Sequence, residues 1–117
     1  MGYVWVDAVI GNPFTGRKIV VKALVDTETM YTVIPRRIFE ELQLPPRGKR
    51  KVKTAKGITE LDICEGVVEI RGRSTPTLIL VSDELDFTLI GITTLELLGL
   101  EVDPVTGELK ESVALLL

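Results

Sequence analysis

The sequence predicts an all-β protein with two short helices, folded as a small closed barrel or a sandwich. Short apolar stretches recur along the chain and are separated by clusters of Gly, Pro, Asn and Asp, which is typical of many short strands. The 117 residues suffice for one modest core, so we expect a single domain over residues 1–117. So many strands in so short a chain favour a closed barrel or a sandwich.

The first part of the chain predicts a β-hairpin and a further short strand. Residues 3–10 alternate as expected for a strand that presents one face to a core. The segment 11–16 is rich in turn formers and should close the hairpin. Residues 17–25 then return and end in an almost continuous apolar run, which is typical of a central strand. A short strand is expected over residues 31–34.

Two short helices are predicted, over residues 35–42 and 93–99. Pro35 suits the first turn of the first helix because it has no backbone N–H to leave unpaired. In the second helix, Thr93 and Glu96 have the spacing of a capping box, in which each side chain bonds the backbone N–H of the other residue. The spacing therefore predicts that Thr93 caps this helix.

Residues 47–56 are strongly basic, and we interpret them as one arm of a long hairpin rather than as a nucleic-acid site. If Lys56 and Gly57 form a two-residue turn, Lys53 faces Glu60, and the neighbouring pairs also match in charge or in apolar character. Cross-strand pairs of this kind stabilise a hairpin by about 0.2–1 kcal/mol each. We therefore expect no nucleic-acid partner.

The end of the chain, residues 108–117, predicts a last strand. Its apolar tail, Val113–Leu117, would be a liability if it were exposed to solvent. We therefore expect the tail to lie either in the core or in a strand shared between subunits, and we favour the second placement.

The sequence contains no histidine and only one cysteine, which limits the catalytic and metal-binding sites it can form. Without histidine, Ser-His and Cys-His nucleophile pairs and histidine metal sites are excluded. The lone Cys64 excludes an intrachain disulfide and a thiolate zinc cluster, and we expect it to be a small buried thiol. Any enzymatic chemistry therefore rests on carboxylates, lysines or hydroxyls.

The composition and the N-terminus predict a cytoplasmic protein without a membrane partner. The net charge is -3, and no apolar run approaches the roughly 18 residues that a membrane span needs. A basic segment followed by an apolar one, the mark of a signal peptide, is not found at the N-terminus. Asn12 and Gln43 are the only side-chain amides, and this scarcity of heat-labile residues points to a thermophile.

The most informative stretch is the apolar strand that runs into Asp26 and Thr27. A carboxylate at the end of a buried strand is costly unless something uses or satisfies it. A Thr-Val-Ile-Pro strand over residues 32–35 follows, then a long hairpin, and then Leu-Ile-Gly at residues 89–91 before a helix. This order resembles the retropepsin-like (clan AA) aspartic proteases, in particular the small prokaryotic and archaeal single-domain members.

The resemblance implies a homodimer with the closed-barrel acid-protease fold and aspartic endopeptidase activity on extended peptides or proteins. Asp26 of each subunit would share one proton with its partner and activate a water molecule, because two adjacent carboxylates cannot both ionise cheaply. Thr27 would hydrogen-bond across the twofold axis and hold the two loops in place. The resemblance implies neither a metal nor a cofactor.

Two further segments receive roles from the same resemblance. The hairpin tip would be a flap that closes over the substrate, and it comprises Ala55, Lys56, Gly57 and Ile58. The segment before the second helix would pass behind the active loop, with Ile90 lining the pocket, and it comprises Leu89, Ile90 and Gly91.

Glu28 departs from the family pattern, which has glycine at this position. Glycine permits unusual backbone angles and close approach by a substrate. Glutamate removes both freedoms and adds a carboxylate that would favour the protonated, inactive form of the pair, unless it turns outward toward Arg36, Arg37 or Lys56. One alternative to a working peptidase is a catalytically impaired homodimer that binds peptides or serves as a scaffold. Another is that Asp26 only caps a turn and has no catalytic role.

Overall fold

The computed structural model describes residues 3–117, and most of this part of the chain forms β-strands, as predicted. Two short helices lie at the predicted places. In chain order the elements are β1 (Tyr3–Gly11), β2 (Lys18–Asp26), β3 (Thr32–Pro35), α1 (Arg36–Glu41), β4 (Pro46–Thr54), β5 (Gly57–Ile70), β6 (Arg73–Ser82), β7 (Thr88–Ile90), α2 (Ile92–Leu98), β8 (Leu100–Val102) and β9 (Leu109–Glu111). None of the helices in this part of the chain has the length and apolar character needed to cross a membrane.

Most of the described strands form one sheet that closes on itself as a barrel. The strand order is β1-β2-β7-β3-β6-β5-β4, and β1 pairs in addition with β5. The closing contact joins Val9–Gly11 to Val67–Glu69. Strands β2 and β7 are parallel, as are β3 and β6. Of the barrel and the sandwich that the sequence allows, the chain adopts the barrel.

The core fills the barrel and extends beneath both helices. β1 contributes Ala8 and Ile10, and β2 contributes Ala23 and Val25, all of them fully buried. Burial of one Val or Ile side chain favours folding by about 1.5–3 kcal/mol. The alternation of apolar and polar residues along a strand therefore determines which of its faces packs into the core. Cys64 is fully buried, as predicted, and this burial raises the pKa of its thiol to about 12.

The turn of the β4–β5 hairpin lies one residue earlier than predicted. Thr54 pairs with Gly57, so the loop residues are Ala55 and Lys56 rather than Lys56 and Gly57. A type I′ turn centred on Lys56 and Gly57 needs a positive φ at both residues, whereas of the two only Gly57 has one, at 113°. The glycine therefore begins the returning strand, and the predicted register was wrong.

Opposite charges still face each other across this hairpin. Lys51 lies opposite Glu60, and the Lys49 ammonium lies 2.7 Å from the Asp62 carboxylate. The pairing differs from the predicted one by two positions, and such a shift leaves every side chain on its original face. Lys51 therefore exchanges Asp62 for Glu60, whereas Lys53 lies opposite Ile58 and not opposite Glu60 as predicted.

The last strand is shorter than predicted. β9 ends at Glu111 because its partner β8 has only three residues and begins directly after Gly99, which ends α2 with a φ of 72°. The tail Val113–Leu117 lies outside any strand, and Leu116 is 94% exposed. Placement of the tail in the core was therefore wrong, and placement between subunits stays a prediction.

A buried asparagine joins the first hairpin to the end of α1. The side-chain amide of Asn12 donates to the carbonyl oxygens of Leu42 and Gln43, at 2.9 and 3.0 Å. Its Oδ1 accepts from the N–H groups of Phe14 and Thr15, at 2.8 and 3.1 Å. One side chain thus supplies partners for four backbone groups and fixes the turn against the helix.

We expect Asn12→Ala to lower the free energy of unfolding by about 3 kcal/mol, because it leaves buried backbone groups without partners. Urea unfolding followed by circular dichroism measures this. Thr106→Ala is the control, since its hydroxyl accepts one exposed bond from the Glu108 N–H at 3.2 Å, and it should cost less than about 1 kcal/mol. Equal losses in the two variants would contradict the role given to Asn12.

Candidate active site

Asp26 is the last residue of β2, which lies between β1 and β7 in the barrel. Ala23 and Val25 of the same strand are fully buried in the core, and they hold the end of β2 in place. Asp26 itself is only half-buried. A central strand therefore carries a carboxylate from the core to the start of a partly exposed loop.

Two hydrogen bonds from the loop orient the Asp26 carboxylate. Its Oδ1 accepts from the backbone N–H of Glu28 at 3.0 Å, and its Oδ2 accepts from the Thr29 hydroxyl at 3.0 Å. The Thr29 N–H also donates to the Asp26 carbonyl oxygen at 3.2 Å. Thr29 is a contact that the motif resemblance does not reveal, although an acid followed at short spacing by a hydroxyl residue is a common turn pattern.

The other two residues of the loop have different surroundings. Thr27 is half-buried, and within residues 3–117 its side chain takes no part in the hydrogen bonds of this loop. Glu28 is exposed, and its φ is not positive. Because the Glu28 backbone is unstrained and its N–H serves Asp26, glutamate is compatible with the loop conformation.

The N-terminus of α2 docks directly onto this loop. The N–H groups of Ile92 and Thr93 donate to the carbonyl oxygens of Thr29 and Met30, at 2.7 and 3.1 Å. These bonds satisfy N–H groups of the first helical turn that a capping side chain would otherwise serve. The predicted capping box was therefore wrong: the helix begins one residue earlier, with Gly91 as its N-cap and no side-chain cap.

A pair of buried threonines supports the same junction. The Thr32 and Thr94 hydroxyl oxygens lie 2.7 Å apart, and Thr32 Oγ1 also accepts from the Gly91 N–H at 3.2 Å. A Cβ atom at Gly91 would lie only 2.4–2.5 Å from the Met30 carbonyl oxygen and from backbone atoms of Tyr31. Only glycine therefore allows the chain before α2 to approach the loop this closely.

The two residues before Gly91 differ in exposure. Leu89 is half-buried, and Ile90 is fully buried as part of the core. Ile90 pairs with Val25 across the parallel β2–β7 ladder, next to Asp26 in sequence. Ile90 thus supports the strand end from the core and does not line the cavity described next.

A cavity of about 580 Å³ lies between the loop after Asp26 and the β4–β5 hairpin. We call it the hairpin cavity, and residues that line it include Glu28, Tyr31, Val33, Val52, Lys53 and Leu61. Its size is within the roughly 300–1,000 Å³ of ligand-binding pockets. The wall is largely apolar, and the charged side chains of Glu28 and Lys53 come from opposite sides.

The hairpin makes one exposed ion pair near its tip and two bonds at its base. At the tip, the Lys56 ammonium lies 3.4 Å from the carboxylate of Glu84, which also lines the hairpin cavity, while Ile58 is 73% exposed. At the base, Asp62 accepts from Lys49 at 2.7 Å and from Arg36 at 2.9 Å. These two bonds hold the pKa of Asp62 below its usual range.

The three basic residues that the sequence offered as candidate partners for Glu28 bond elsewhere. Arg36 bonds to Asp62 and Asp83, the Arg37 guanidinium donates to the Asp86 carbonyl oxygen, and Lys56 pairs with Glu84. Among the described residues no ion pair reaches Glu28, so the alternative of an outward ion pair, which the sequence left open, is not found within this chain. The same part of the chain contains no cluster of three His, Cys, Asp or Glu side chains that could hold a metal ion.

Comparison with solved structures relates this arrangement to known proteases. The EIAV protease, solved in complex with the inhibitor HBY-793, has a TM-score of 0.67 and 19% identity over 83% of this chain and 88% of that one. A retropepsin-like aspartic protease from Rickettsia conorii gives 0.62 and 21% over 86% and 84%. The retroviral protease-like domain of Ddi1 from Leishmania major gives 0.60 and 18% over 95% and 89%.

The chain has a retropepsin-like aspartic protease fold. No family model matches the sequence, and no curated protein sequence matches it, so the likeness is one of structure. This retropepsin-like fold brings the Asp26 loop together with Gly91 and the start of α2 on one side. It places the β4–β5 hairpin across the hairpin cavity from Glu28.

We expect Gly91→Ala to lower the free energy of unfolding by about 3 kcal/mol or more, because the added methyl group meets backbone that cannot move aside freely. Thermal unfolding monitored by circular dichroism measures the loss. Gly11→Ala is the matched control, since a Cβ there meets its nearest neighbours at an ordinary 3.5 Å and the φ of Gly11 is not positive. If Gly91→Ala is as stable as Gly11→Ala, the close approach is not required.

Proposed function

We propose that this chain is an aspartic endopeptidase that works as a homodimer, with one Asp26 from each copy at the dimer axis. The observation that carries the proposal is the Asp26 carboxylate itself. It stands at a strand end in a retropepsin-like fold, held by the Glu28 N–H and the Thr29 hydroxyl. An apolar cavity under a hairpin lies beside the same loop.

The proposed reaction is hydrolysis of a peptide bond by a water molecule held between the two Asp26 carboxyl groups. Two carboxylates this close share one proton, because a second negative charge at short distance is unfavourable. The ionised group takes a proton from the water, whose oxygen attacks the peptide carbonyl carbon, while the protonated group donates its proton to the carbonyl oxygen. In the second step the C–N bond breaks as the group that took the proton from water donates it to the leaving nitrogen, and the other group takes back the hydroxyl proton as the carboxylic acid product forms, which restores the starting pair. No step requires a metal or a cofactor.

The neighbouring residues receive supporting roles in this proposal. Thr27, whose side chain has no partner in the loop of its own chain, would hydrogen-bond to the loop of the second copy. The tip of the β4–β5 hairpin, Ala55–Ile58, would act as the flap over a bound peptide. Leu89 and Gly91 would support the loop from behind. The similarity to the EIAV protease solved with an inhibitor is consistent with a ligand groove here.

The dimer is supported by the exposed apolar tail. Val113, Leu115, Leu116 and Leu117 are each at least 84% exposed in the single chain. Burying such a side chain favours association by about 1.5–3 kcal/mol, less the cost of ordering it. A contact between the tails of two copies would remove this apolar surface from water.

A second candidate function follows from Glu28. This exposed acid lines the hairpin cavity without an ion pair among the described residues, and in a dimer it would add two carboxylates near the Asp26 pair. Repulsion from these charges favours a protonated pair that cannot activate water. The same dimer would then hold peptides, or assemble subunits, without cleaving them.

Cleavage of unfolded casein between pH 3 and 7 tests the peptidase. We expect Asp26→Asn to reduce cleavage by about 10³-fold or more, since it removes the acid and base of the reaction, and we expect pepstatin to inhibit the unmodified chain. Glu28→Gly should cleave faster because it removes the extra charge. Cleavage that persists in Asp26→Asn would refute the mechanism, whereas cleavage found only in Glu28→Gly would establish the impaired dimer.

Removal of Val113–Leu117 tests the dimer. We expect the full chain to be dimeric at micromolar concentration and the shortened chain to be monomeric and inactive, since a monomer has only one Asp26. Light scattering coupled to size-exclusion chromatography gives the mass, and circular dichroism checks that the shortened chain keeps its fold. A full chain that is monomeric, or a shortened chain that stays dimeric, would contradict the proposed interface.

A further inference from the structure

The charges around the hairpin cavity are unevenly distributed. Three charged side chains line it, namely Glu28 on the loop wall, Lys53 on the hairpin wall and Glu84 near the hairpin tip. Glu84 already has a partner, because the Lys56 ammonium lies 3.4 Å away. Lys53 makes no ion pair with Glu28, so the loop wall keeps a carboxylate without a cation among the described residues.

Apolar side chains line other parts of the same cavity. Val33, Val52, Leu61 and Leu80 all line the hairpin cavity, from four different strands. A ligand that fits this wall has an apolar side chain to bury and a cationic group to place against Glu28. A charge-assisted hydrogen bond from an ammonium or guanidinium group to a carboxylate is stronger than one between neutral groups, and a partly apolar wall strengthens it further.

We infer that Glu28 is a specificity residue that selects peptides with a lysine or arginine close to an apolar residue. The inference rests on the proposed function in one respect, since it takes the cavity to be part of a peptide-binding groove. The same carboxylate disfavours acidic peptides, because like charges repel across the short distance of a groove. Lys53 lines the opposite wall of the same cavity, so its positive charge competes with a cationic ligand for this cavity.

Peptide binding to the Asp26→Asn chain tests this without cleavage. The probes are fluorescent decapeptides of Ala, Val and Leu in which a single Lys, Gln or Glu occupies each position in turn, and anisotropy gives Kd. At the position with the strongest effect, we expect the Lys peptide to bind about fivefold more tightly than the Gln peptide, which is the gain of an exposed ion pair. The Glu peptide should bind more weakly than the Gln peptide. The preference should shrink as salt rises from 50 to 500 mM.

Three second-site variants in the Asp26→Asn background assign the effect to Glu28. Glu28→Gln should abolish the preference for Lys over Gln, and Lys53→Ala should strengthen it by removing the competing cation. Glu101→Gln, which removes another exposed negative charge, in β8, should leave the preference unchanged and so excludes an effect of net charge. Circular dichroism confirms that each variant is folded.

The outcomes separate this inference from the proposed function. A Lys preference that survives in Glu28→Gln, a preference for acidic peptides, or no binding by any peptide overturns the inference. Casein cleavage by the unmodified chain without any Lys preference leaves the peptidase standing and rejects the specificity role. A Lys preference lost in Glu28→Gln, together with no cleavage by the unmodified chain, rejects the peptidase and supports selective binding.

Discussion

The docking of the α2 N-terminus onto the loop after Asp26 is the contact on which the candidate site depends. A helix start has N–H groups without partners, and an irregular loop has carbonyl oxygens without partners, so one contact satisfies both. The bonds from Ile92 and Thr93 to the carbonyls of Thr29 and Met30 meet these two needs. The loop orients the Asp26 carboxylate through the Glu28 N–H and the Thr29 hydroxyl, and the barrel and the helix hold that loop in place.

Local patterns in the sequence predict the elements of this fold well, because each strand or helix carries its own signal. The alternation over residues 3–10 and the continuous apolar run before Asp26 are examples.

The errors occur where a local signal competes with a tertiary partner. Thr93 has the spacing of a capping residue, but loop carbonyls already serve the helix N–H groups. Gly57 is a turn former, but it has its positive φ at the start of β5, next to the two-residue loop of Ala55 and Lys56. The residues after Glu111 have strand character, but β8 is too short to pair with them.

The sequence predicts which residues belong to the candidate site better than it predicts the contacts between them. The position of Asp26 at a strand end follows from the apolar run before it, which is a local property, whereas the passage of residues 89–91 behind the loop was implied by the family resemblance and not by residue type. The hydroxyl contact from Thr29 and the absence of an ion pair at Glu28 do not follow, since both depend on distances in the folded chain. Each cation considered for Glu28 has another partner, and Arg36 is held by two carboxylates at the base of the hairpin.

Glutamate in place of the family's glycine at position 28 is compatible with the geometry of the loop but alters its charge. Its backbone angle is ordinary and its N–H still donates to Asp26, so the missing glycine leaves the orientation of one carboxylate intact. What changes is the electrostatic environment of the groove, where an added carboxylate repels a neighbouring anion and attracts a cation. A basic group on a bound peptide would offset that repulsion at the moment of binding. In the proposed dimer, the charge of the ligand, more than the shape of the loop, would then decide whether two such loops cleave a peptide or only hold it.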